Sequence, residues 1–90
     1  MIRVLVVDDH ELVRSGITRM LADNPDIEVI GQAPSGEDAI DFVRQERPDI
    51  VLMDIRMPGI GGLEATRRIL RIDDSIRVIV VTACADDPYP

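Results

Sequence analysis

The stretch Ile2–His10, IRVLVVDDH, decides how the whole chain is read. Six mostly apolar residues end abruptly in two adjacent carboxylates, Asp8 and Asp9. Like charges side by side repel, and ionised groups beside apolar residues are costly to bury. The pair must therefore point into water or meet a compensating partner. The same grammar recurs at DIVLMD, where an apolar run stops at Asp54.

Four short apolar runs punctuate the chain: Val4–Val7, Ile27–Ile30, Ile50–Met53 and Val78–Val81. Each is rich in β-branched residues and near-continuous, the pattern of strands covered on both faces of a parallel sheet. IEVIG partly alternates, which places Ile27–Ile30 nearer an edge. Helical spacing fills the gaps. Val13, Ile17, Met20 and Leu21 recur in Glu11–Asp23, and Asn24-Pro25 stops that helix. Ser35, with Asp38 three residues on, predicts an N-cap for a helix over Glu37–Gln45, which Pro48 ends. In the third helix Leu63, Thr66, Ile69 and Leu70 are expected to share the buried face, with Arg67, Arg68 and Arg71 outward. The alternation of strand and helix, with right-handed crossovers, predicts a doubly wound α/β layer.

Bulk properties narrow the function. Ninety residues make one domain or part of one. The net charge of −7 disfavours direct nucleic-acid binding, which needs clustered Lys and Arg. Tyr89 and Phe42 are the only aromatics, so no stacking platform for single strands exists. Cys84 is the single cysteine and reads as a small reduced side chain. No apolar stretch approaches the ~20 residues of a transmembrane helix, and the start is too short and acidic for a signal peptide. The expected compartment is the cytoplasm.

In open α/β sheets, ligands gather at the carboxyl ends of the strands. If the first and third strands are neighbours, Asp8, Asp9 and Asp54 meet in one crevice. A hard divalent cation that favours oxygen, Mg²⁺, suits such a set, and no Cys/His cluster suggests zinc. His10 stands alone and is set aside as a ligand. Beside a cation, Asp54 has the chemistry to attack a phosphoryl group as a nucleophile. Asp9 and Asp54 would hold the ion with the backbone carbonyl of Arg56, and Asp8 directly or through a water. The loop IRMPGIGG after Asp54 suits a close carbonyl, although turn chemistry explains it equally well. Thr82 ends the fourth strand at the same edge, where a hydroxyl can donate to a phosphoryl oxygen. A solvated turn remains the alternative for Asp8-Asp9 alone.

These residues resemble a known family. VLVVDDHELVR, VLMDIRMPGIGGLEATRRIL and VIVVTA are similar to the receiver domains of two-component response regulators. VDDH and PGIGGLEATR resemble the NarL/FixJ (LuxR-type) branch, and TACADDPYP more narrowly the GacA/UvrY type of global regulator. The resemblance implies a flavodoxin-like, CheY-like sheet of five strands in order 2-1-3-4-5, here 2-1-3-4 with the fifth missing. It implies Asp54 as phosphoacceptor for a sensor histidine kinase, Asp8 and Asp9 with the Arg56 carbonyl as the Mg²⁺ pocket, and Thr82 as the switch hydroxyl. It also implies DNA binding only through a C-terminal helix-turn-helix domain.

Against that pattern, the fourth helix, fifth strand, fifth helix, switch aromatic and the lysine that pairs with the phosphoryl group are absent. The 90 residues are therefore expected to be the N-terminal part of a receiver domain, without its DNA-binding output domain. An uncovered Val78–Val81 edge predicts dimers or larger assemblies. Three functions are weighed. One is a signalling phosphoacceptor, no enzyme beyond self-catalysed phosphorylation and dephosphorylation. Another is a Mg²⁺-dependent aspartyl phosphatase, disfavoured because such enzymes carry D-x-D after the first strand, where this chain has D-D-H. The last is an inert binding piece.

Overall fold

The computed structural model describes residues 1–81. Four strands, β1 (Ile2–Val7), β2 (Ile27–Ala33), β3 (Ile50–Asp54) and β4 (Arg77–Val81), alternate with three helices, α1 (Glu11–Ala22), α2 (Gly36–Glu46) and α3 (Gly61–Ile72). The sheet is parallel throughout, in the order β2-β1-β3-β4. The expected doubly wound layer and strand order are thus present among the described residues.

β1 is central, and four consecutive residues, Val4 to Val7, are buried. Side chains alternate along a strand, so Leu5 and Val7 face one side while Val4 and Val6 face the other. Leu5 and Val7 join Val51 and Met53 of β3, Ala39, Ile40 and Val43 of α2, and Ala65 and Ile69 of α3 in one core cluster. Helix α1 lies against β1 and β2 and buries no residue completely. Covering both faces is what makes the central runs continuous and apolar.

β2 lies at an edge, as its partial alternation predicts, and it runs three residues beyond Ile30. Leu5, Val6 and Val7 pair with Gly31, Gln32 and Ala33, after a register shift that leaves Val4 paired with Val29. The extra residue is a bulge. It brings Gly31 beneath the ring of Phe42, where a Cβ would overlap the aromatic carbons.

Two helix boundaries follow the sequence closely. Ser35 caps α2 by accepting from the Asp38 N–H at 3.1 Å. Arg47, just before Pro48, takes a left-handed conformation (φ 49°) and closes the helix. The expected face of α3 holds for Ile69 and for the outward Arg67, Arg68 and Arg71, and is corrected for Leu63 and Leu70. Gly62, Ala65 and Ile69 are buried, whereas Leu63 is 60% exposed and Leu70 is also exposed. Helix α3 packs beside α2 as well as on β3, and small residues permit that close approach. The side chains that fit between the two helices, rather than the largest apolar ones, set the buried stripe. In α1 a similar shift leaves Met20 exposed.

Candidate functional site

β1 and β3 are hydrogen-bonded neighbours, with Val7 opposite Met53. The next residue on each strand, Asp8 and Asp54, therefore emerges at the same carboxyl edge. Asp8, Asp9, His10 and Asp54 each offer a ligand atom, and these atoms all lie within 4.8 Å of one another. Adjacency of the two strands brings together carboxylates that are forty-odd residues apart in the chain.

Each acid is held differently. Asp8 is buried. Its N–H donates to Ala33 O (3.1 Å), and its Oδ1 accepts the His10 N–H (2.8 Å). Asp54 is buried too, and its Oδ1 accepts the Arg56 N–H at 3.0 Å. Asp9 Oδ1 is buried with no hydrogen-bond partner among the described residues, although His10 Nδ1 stands 3.0 Å away. A buried, unsatisfied carboxylate oxygen is expensive unless a cation completes it. With hard oxygen donors in the majority, the set fits Mg²⁺ rather than a thiophilic metal.

The loop after Asp54 is anchored by buried Met57 and by the start of α3. Gly62 packs directly on the Asp54 carbonyl, and a Cβ there would overlap it. That contact is the structural use of Gly62, whereas Gly59 (φ 82°) and Gly61 (φ 77°) take the left-handed backbone that favours glycine. Arg56 thus sits beside the cluster, contributing its N–H to Asp54. Thr82 lies outside the described residues, as does Cys84.

Two residues near the cluster escaped the sequence reading. His10, set aside as solitary, has Nδ1 3.2 Å from Asp8 Oδ1 as well as near Asp9. Arg14, one turn into α1, donates from Nη1 to the Asp8 carbonyl at 2.7 Å. Only the i, i+4 spacing from His10 hinted that Arg14 folds back over the loop. A cavity of about 320 Å³ opens near Arg47, Asp49, Asp73 and Arg77, at the opposite edge of the sheet, and none of the clustered acids lines it.

The receiver-domain pattern, described as "Response regulator receiver domain", matches residues 4–90. Over all 90 residues the chain is 62% identical to the response regulator GacA of Pseudomonas aeruginosa, and it covers 42% of that protein. It is 53% identical to the response regulator UvrY of Escherichia coli K12, covering 41% of it. The chain thus spans under half the length of these curated relatives. A LuxR-family two-component response regulator from Aurantimonas sp. SI85-9A1 superposes with a TM-score of 0.85 at 40% identity, over 89% of this chain and 57% of that one.

Proposed function

The chain belongs to the family of response regulator receiver domains, and from that premise we propose that it accepts a phosphoryl group on Asp54 from a sensor histidine kinase. Receiver domains are signalling modules of two-component systems and bind Mg²⁺ at an acidic pocket. The observation that carries the proposal is the convergence of Asp8, Asp9 and Asp54 within 4.8 Å at one sheet edge.

Asp9 and Asp54 are the proposed ligands of Mg²⁺, with the Arg56 carbonyl, and Asp8 directly or through a water. When bound, the ion offsets the charge of the acids and of the phosphoryl oxygens. The remaining work falls to the chain. The Arg56 N–H holds Asp54 Oδ1 in place, leaving Oδ2 to attack phosphorus. A new O–P bond forms as the donor's N–P bond breaks, and the imidazole leaves with the bonding pair. The product is an acyl phosphate on Asp54. Thr82 is the proposed switch hydroxyl.

Acetyl phosphate with Mg²⁺, followed by intact-mass analysis, tests the reading. One phosphoryl adduct, lost in Asp54→Asn, is expected. No adduct, or an adduct that survives the substitution, refutes it, and broad turnover of phosphate esters would favour the phosphatase reading.

Residues 1–90 are proposed as the N-terminal part of a receiver domain working in the cytoplasm. DNA contact is assigned to a C-terminal helix-turn-helix domain beyond them, consistent with the charge of −7. No described helix is long and apolar enough to cross a membrane. Self-association of the 90-residue chain is proposed at β4, an edge strand among the described residues that exposes Ile79, Val80 and Val81. A single monomeric species throughout a sedimentation concentration series would refute it.

A further inference from the structure

The acidic loop between β1 and α1 is short, and beside Asp9 Oδ1 it sets the His10 imidazole, with Nδ1 3.0 Å away. Asp9 Oδ1 is buried and accepts no hydrogen bond among the described residues. The backbone therefore has a large share in placing the Asp9 carboxylate. Asp9's own nitrogen belongs to the peptide whose carbonyl is that of Asp8, and a peptide unit is planar and stiff. Whatever fixes the Asp8 carbonyl also fixes the Asp9 N–Cα bond, from which the Asp9 side chain is hung.

One side chain does this. Arg14 Nη1 donates to the Asp8 carbonyl at 2.7 Å, and Arg14 Nε donates to Gln32 Oε1 at 3.3 Å. The Arg14 backbone N–H donates to His10 O at 3.0 Å, so the same residue grips both ends of the Asp8–His10 segment. Gln32 lies on β2, beside Ala33, whose carbonyl accepts the Asp8 N–H at 3.1 Å. The guanidinium is thus held sideways by the edge strand while it clamps the loop. Its positive charge stands behind the acids without occupying the open oxygen of Asp9.

We infer that Arg14 is a positioning residue for the divalent cation, acting through the Asp8–Asp9 peptide without touching the ion. The arrangement needs a fork. A guanidinium directs two N–H groups at once in fixed geometry, whereas a lysine ammonium is a single point of charge on a flexible stem. Partners that orient metal ligands from behind typically change metal affinity by 10–100-fold when removed. The inference rests on the reading of the acids as a cation site.

The test is a MgCl₂ titration of the full chain, followed by amide NMR shifts, which report affinity and location together. In the native chain the shifts are expected to centre on residues 8, 9 and 54. Arg14→Ala is expected to raise Kd about tenfold, and Arg14→Lys to fall between the two. Arg19→Ala removes the same charge from the same helix, away from the loop, and is expected to stay within about twofold. Melting temperatures run alongside, since a merely structural role would lower stability and leave affinity in place.

A folded Arg14→Ala that binds Mg²⁺ within about twofold of native overturns the inference. So does an Arg19→Ala that weakens binding equally, because charge alone would then explain the effect. Should Arg14→Ala fail to fold, Arg14→Lys decides: native affinity refutes the clamp, and weakened affinity supports it. A native chain with no localised shifts removes the cation reading itself, and the role of Arg14 with it.

Discussion

Replacing Asp54 by Asn should stabilise the protein while abolishing its response to Mg²⁺. The carboxylates of Asp8, Asp9 and Asp54 have atoms within 4.8 Å of one another. At that separation each pair of unit charges repels by about 1 kcal/mol in a water-like medium and about 3.5 kcal/mol at an effective dielectric of 20. Asp54→Asn removes two of the three repulsions. It keeps the bond from the Arg56 N–H, because an amide oxygen can accept where Oδ1 did. Asp9 is partly exposed, so screening favours the lower figure and a net gain of about 1–2 kcal/mol. For a domain of this size that corresponds to a rise of roughly 5–10 °C in melting temperature. The assay is thermal melting by circular dichroism, first in EDTA and then with Mg²⁺. At ten times its Kd, the ion should stabilise the native chain by about 1.4 kcal/mol and leave Asp54→Asn unmoved. A variant that melts at or below the native temperature in EDTA, and gains as much from Mg²⁺, would show that the acids are neither mutually strained nor a shared cation site.

Asp9→Ala should weaken Mg²⁺ binding more than Asp8→Ala, since Asp9 Oδ1 accepts no hydrogen bond among the described residues while Asp8 Oδ1 already accepts the His10 N–H; calorimetry showing the reverse order would reassign the ligands. Gly62→Ala should cost about 1–3 kcal/mol, because its Cβ overlaps the Asp54 carbonyl and must push α3 away; an unchanged denaturant midpoint would contradict the contact. The Asp73 carboxyl is held below its ordinary value by hydrogen bonds from the Ser75 hydroxyl and N–H, with Arg47 adding to the effect. With the folded value below the unfolded one, this stabilisation is present above the unfolded pKa and disappears as pH falls through the folded one. Asp73→Asn should therefore show a shallower loss of melting temperature on acidification below about pH 4, and an unaltered acid limb would count against the turn.

Much of this architecture is legible in one dimension. The runs ending in Asp8-Asp9 and at Asp54 mark central strands because continuous β-branched sequence has no solvent face to serve. The partial alternation of IEVIG marks an edge, and Ser35 announces a helix start through a purely local hydrogen bond. Legibility fails where neighbours distant in sequence decide the outcome. The bulge in β2 shows only in its pairing with β1, and the ring of Phe42 lies over Gly31 just beyond it. The buried stripe of α3 runs through Gly62, Ala65 and Ile69 because α2 lies alongside, and hydrophobicity alone pointed to Leu63 and Leu70.

The acidic residues show the same division. Sequence by itself determined their identity, their places at strand ends and the hard-oxygen chemistry they offer, all properties of local pattern and side-chain type. Tertiary structure alone decided that β1 pairs with β3, so that three charges meet within 4.8 Å. It alone placed His10 at the rim and sent the Arg14 guanidinium back onto the Asp8 carbonyl. Repulsion, clamping and ion binding depend on distance through space, and a linear chain does not specify that distance until the sheet has chosen its neighbours.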